Sequence, residues 1–136
     1  MEQKDYILRE IEKIGMIISA IRQKLFGGKE NITVTIEKQL KDLKGVLLSG
    51  TNFDLDKFMS LNIKDSNEYI SSFKGFSVEN IEHMAECISQ ICFSDNSSVS
   101  KKYLEKALQL YEFCNLKSKT YSLERETNIE TIKNAL

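Results

Sequence analysis

The chain has 136 residues, 41% of them hydrophobic and 29% charged, the size and balance of one soluble globular domain with a real core. A formal net charge of −1, from 19 basic and 20 acidic residues, gives no field to draw in nucleic acid or an anionic membrane. The longest uncharged run, Gly45 to Phe53, is far short of the ~20 residues that cross a bilayer, and the charged opening does not resemble a secretion signal. A cytoplasmic location is the expectation.

Three cysteines, Cys87, Cys92 and Cys114, form no CxxC pair and fall on or beside apolar stripes, so they are expected to be reduced and buried. Proline is absent altogether, which lets helix follow helix with few sharp corners. The first helix is expected from about residue 3 to Gly27-Gly28. In it Ile7, Ile11, Ile14, Ile18, Ile21 and Leu25 recur at spacings of four and three, one apolar stripe opposite a charged face. Gly15, costly inside a helix, is expected to mark the close approach of another backbone.

A second helix is expected over Val34 to Leu48, with Ile36, Leu40, Leu43 and Leu47 inward. The alternation from Ile32 to Ile36 leaves its first turn open between helix and strand. Lys38, Lys41 and Lys44 form a basic ridge, read as a solvated face before an anion contact. Two short helices follow, over 54–61 and 66–73, the second with Asp65 and Glu68 placed as a capping box and Gly75 closing it. Ser77 caps a fifth helix, 78–93, with Ile81, Met84, Ala85, Ile88, Ile91 and Cys92 inward. A sixth, 99–114, turns Tyr103, Leu104, Ala107, Leu108, Tyr111 and Cys114 inward. After a break at 115–119, Ser122 caps a weaker seventh with Leu123, Ile129, Ile132 and Leu136 in line. The expectation is an all-α single domain of about seven helices over residues 1–136.

The segment 78–114 resembles a tetratricopeptide-type helical hairpin. Ala107, Tyr111 and Cys114 match its second helix, and Ile81, Met84, Ala85 and Ile88 its first, although the connection is longer and no closing proline follows. The stretches Asp5 to Glu12, Ala107 to Tyr111 and Thr120 to Arg125 resemble a family of small uncharacterised bacterial helical proteins. These resemblances imply an all-helical cytoplasmic domain, with the long N-terminal helix packed on an antiparallel hairpin. The first helix of the hairpin would line a binding groove. The groove-facing positions then fall on Glu79, Glu82, Glu86 and Ser89, a row suited to a basic peptide, or otherwise a solvated face.

Chemistry is sparse. His83, the single histidine, forms an HxxxC pair with Cys87, two of the four ligands a zinc site needs. A satisfied or surface histidine is the simpler reading. Glu79 and His83 lie four apart, not the three of a di-metal Glu-x-x-His motif. No nucleophile elbow, phosphate-binding glycine loop or HExxH is present. No catalytic residue, cofactor or metal is therefore expected, and the chain is expected not to be an enzyme. The function expected is protein–protein interaction, as a scaffold or adaptor module. The alternatives are a self-assembling protein joined through Ile7, Ile11, Ile14, Ile18, Ile21 and Leu25, and a helical DNA-binding domain using the lysine ridge.

Overall fold

A computed structural model describes residues 2–26, 35–93 and 95–136. Among them run seven helices and no strand: α1 (Glu2–Phe26), α2 (Ile36–Thr51), α3 (Leu55–Ser60), α4 (Ile63–Ser71), α5 (Val78–Cys92), α6 (Ser98–Ser118) and α7 (Leu123–Ala135). The expected all-α class and helix number hold. The cap at Gly27-Gly28 and the alternation at 32–34 lie outside the described residues. The chain divides into two compact units, Met1–Asn80 and Ile81–Leu136. The division falls inside α5, after its first turn, where no shift of composition announces it.

Helix starts are written locally. Thr35, Asp54, Asn62, Ser77, Ser97 and Ser122 each accept, through a side-chain oxygen, the backbone N–H three residues on. Such a cap satisfies one of the first-turn donors that no carbonyl can reach, and each is worth about 1 kcal/mol. Asn62, not Asp65, caps α4: its Oδ1 accepts Asp65 N–H at 2.8 Å, so the helix begins one turn before the expected box. It also ends earlier, at Ser71 with Ser72 as its cap, and Gly75 lies in the loop beyond. The sixth helix runs a turn past Cys114 and ends at Lys119, in the left-handed conformation (φ 56°).

In the first unit α1 packs along α2, which meets α3, which meets α4. The stripe of α1 is inside: Ile14, Ile18, Ile21 and Leu25 are buried, and Ile7 and Ile11 half-buried. Leu40, Leu43 and Leu47 of α2 are buried with them. The second focus of this unit is aromatic. Phe53, fully buried, stands 5.2–5.5 Å between ring centroids from each of Phe58, Tyr69, Phe73 and Phe76. Tilted and edge-on pairs like these add about 0.5–1.5 kcal/mol each beyond area burial, support that two short helices need. The Tyr69 hydroxyl accepts Asp54 N–H at 3.0 Å and ties α4 to the start of α3.

The loop after α4 is pressed onto α1. A Cβ on Gly75 would lie 2.6 Å from the Glu10 carbonyl oxygen, so only glycine allows that approach. Asn80 fastens it: its Nδ2 donates to Ile11 O at 2.9 Å and to Gly75 O at 2.8 Å. Gly15, expected to admit a backbone, admits this asparagine instead, with Asn80 Oδ1 3.2 Å from where its Cβ would be.

In the second unit α6 is central. Tyr103, Leu104, Ala107, Leu110, Tyr111 and Cys114 are buried, and so are Ser100 and Gln109, so burial extends well beyond one stripe. α7 packs on α6. Its inward register is Arg125, Ile129 and Ile132. Leu123 and Leu136, expected in line, are 69% and 43% exposed. Arg125 sits four residues before Ile129 and occupies the inward position assigned to Leu123.

Candidate functional site

Arg125 is the first unexpected polar group of the second unit, with its side chain only 6% exposed. Ser122 caps α7 and so fixes the register that turns Arg125 inward. The guanidinium forms a close two-pronged contact with Glu82 Oε1, through Nε (2.8 Å) and Nη2. Its Nη1 donates to Asn115 Oδ1 at 2.9 Å and Ser118 Oγ at 3.1 Å. One arginine thus joins α5, two polar side chains at the end of α6, and α7. A guanidinium suits this, because its planar fork can serve several acceptors at once. No buried side-chain nitrogen or oxygen among the described residues lacks a partner.

Beside this junction the same three helices frame a cleft of about 300 Å³. α5 contributes Glu86, Ser89 and Gln90, with Phe93 directly after it, α6 contributes Tyr111, and α7 contributes Glu124, Asn128 and Ile132. Ligand pockets span about 300–1,000 Å³, so this one sits at the small end and suits a single extended side chain better than a nucleotide-sized cofactor. Phe93, Tyr111 and Ile132 supply apolar wall. The Ser89 hydroxyl donates to Ala85 O at 2.8 Å, so toward the cleft it can only accept. Carboxylates are acceptors too. None of the described lining residues is basic.

The electrostatics agree. Burial pushes the Tyr111 hydroxyl well above the usual phenol range, and the charges of Glu86, Glu82 and Glu124 push it further the same way. Burial likewise raises the Cys114 thiol to about 12, with Glu82 adding to the rise and Arg125 and Lys117 opposing it. At the end of α5, burial raises Cys92 to about 11. Hydrogen bonds from the Ser100 and Ser97 hydroxyls hold the Asp95 carboxyl below its ordinary value.

The expected groove row is divided by the structure. Glu86 and Ser89 line the cleft. Glu82 is taken up by Arg125, and Glu79 is exposed in the first turn of α5, within the first unit. Gln90, Phe93, Glu124, Asn128 and Ile132 were not anticipated. The signal that could have found the α7 members is the arginine at the Ile129–Ile132 register, which sets which face of α7 turns inward.

The other expected features are dispersed. His83 is exposed, whereas Cys87, one turn on, is fully buried. In the lysine ridge Lys38 pairs with Asp42 at 3.1 Å and Lys44 with Asp56 at 2.8 Å, which leaves Lys41 exposed between partly neutralised neighbours. Of the stripe proposed as a seam between copies, four of six members are buried in the single chain, so only Ile7 and Ile11 remain accessible to a second copy. Among the described residues no helix is long and apolar enough to cross a membrane. Comparison with family models, curated proteins and solved structures finds no match to this chain.

Proposed function

We propose that the protein is a non-catalytic protein–protein interaction module, a scaffold or adaptor subunit acting in the cytoplasm, and that the cleft of α5, α6 and α7 is where its partner binds. The observation that carries this reading is the lining: apolar walls, acceptor groups and two glutamates, in a space sized for a side chain. The resemblance of 78–114 to a tetratricopeptide-type hairpin supports it, since three of the eight lining residues come from α5, the helix that would face the groove in that family, and Phe93 follows it directly. Three buried thiols suit a reducing compartment.

The test is a charge reversal that avoids the Arg125 junction. Glu86→Lys combined with Glu124→Lys should abolish retention of proteins that the unaltered chain captures from its native cell, with the melting temperature nearly unchanged. Identical capture by both forms would overturn the reading.

A further inference from the structure

We infer that α7 is an exchangeable element: a second copy of this chain seats its own α7 on α5 and α6, through straightening of residues 119–122. The result is a dimer joined by mutual exchange. This goes beyond the interaction reading above and holds whether or not the cleft has a further partner.

The first observation is one of phase. In α6 the buried Leu104, Ala107, Tyr111 and Cys114 recur at spacings of three, four and three. In α7 Arg125, Ile129 and Ile132 recur at four and three. Cys114 and Arg125 stand 11 positions apart (125 − 114), about three helical turns, so the two stripes keep one phase across the turn between them. Ser118 and Ser122 fill the same stripe inside the gap. A chain that folds back on itself has no need of this, because the turn can set the register of α7 afresh. One unbroken helix over 98–135 would carry all these side chains on a single face. Tyr121, 77% exposed in the folded-back form, would join that face between Ser118 and Arg125.

The second observation is the turn itself. Residues 115–123 include neither glycine nor proline, so nothing in the connection forbids helix. Lys119 is held at φ 56°, a left-handed conformation that crowds its β-carbon against the backbone. Asn52, at φ 64°, is of the residue type that tolerates this through a short polar side chain, and lysine is not. Straightening relieves Lys119 and gives four more backbone amides helical acceptors. Against that stand the Ser122 cap and the bonds that Thr120 makes with Ser118 and Arg125.

The third observation is that the hold on α7 is transferable. Arg125 reaches Glu82 on α5 and Asn115 on α6, and Asn115 donates to Glu126 at 3.2 Å. The α7 of a second copy carries the same groups and can make the same bonds. The two forms therefore differ only over the hinge and in the entropy of association. In the exchanged form each cleft is completed by Glu124, Asn128 and Ile132 of the second copy.

The experiment uses the full chain, unfolded in urea, refolded at about 0.5 mM, where mass action favours association, and sized by light scattering. Glu82→Arg and Arg125→Glu are refolded separately and together. Alone, each sets like charges against each other at the junction. Together, exchange matches Arg125 of the first variant with Glu82 of the second and reverses the pair at the other seat. An equimolar assembly of twice the chain's mass should therefore form. Variants that stay separate on mixing, or fold no better together than apart, overturn the inference. Hinge variants give a second measurement in a chain whose junction is intact. Lys119→Gly, which removes the strain, should weaken association about tenfold, and Lys119→Ala/Ser122→Ala, which favours helix and deletes the cap, should strengthen it about tenfold. Single copies throughout, or association indifferent to both hinge changes, would also overturn it.

Discussion

Gly75 and Gly45 are chemically identical and carry opposite expectations. At Gly75 the obstacle to a side chain is backbone, the Glu10 carbonyl, which cannot swing aside as a flexible side chain can. Gly75→Ala should therefore cost about 1–3 kcal/mol, the range for forcing a methyl into a filled space. Gly45 lies within α2, and an added Cβ meets nothing within 4 Å. Gly45→Ala should gain up to about 1 kcal/mol, because alanine loses less backbone freedom in a helix. Urea unfolding of both variants decides it, and two shifts of the same sign would show that the loop is not seated against α1. Sequence alone shows both glycines but not the surface each one meets. Asn80 illustrates the same limit. Nothing in its neighbours shows that both hydrogens of its amide are engaged, one by a carbonyl 69 residues away.

Helices were the most legible level, since periodicity is a property of neighbours. The stripes of α1, α2, α5 and α6 lie inside much as their spacing implies. What failed was α7, where Leu123, Ile129, Ile132 and Leu136 were aligned by hydrophobicity, and the true register runs through a charge. Hydropathy ranks arginine outside, and nothing local reveals a carboxylate waiting 43 residues earlier in the chain. The cleft was partly legible: Glu86 and Ser89 followed from the resemblance of 78–114 to a helical hairpin, whereas the α7 side depended on that register. Removing one member of a buried ion pair strands the other, so Arg125→Ala should destabilise the second unit by about 3–5 kcal/mol. Arg125→Lys should also be costly, because an ammonium cannot serve Glu82 and Asn115 together from one plane. Loss of α7 packing would show as hydrogen exchange in 123–135 ahead of the rest of the unit. Full stability in Arg125→Lys would demote the junction to a simple charge contact.

At the scale of the molecule, all three thiols lie in the second unit and the aromatic cluster in the first. Cys92 and Cys114 ionise at about 11 and about 12 in the fold, against 9.0 for an ordinary thiol. Between those values the unfolded chain has released protons that the folded chain still holds, so ionisation favours unfolding. Stability should be unaffected by these groups at neutral pH and fall progressively as pH rises above about 9. The urea midpoint of the second unit should therefore drop between about pH 7 and about pH 10, and Cys92→Ala/Cys114→Ala should flatten that slope. A midpoint indifferent to pH in both forms would mean that water already reaches the sulfurs.

The six side-chain caps also have a bearing on how the chain comes to be made. Each lies within three residues of the amide it satisfies, so α2 through α7 can commit to their opening turns before any distant segment has been synthesised. On a ribosome such a chain would emerge as a succession of nascent coils, waiting only for neighbours to collapse against.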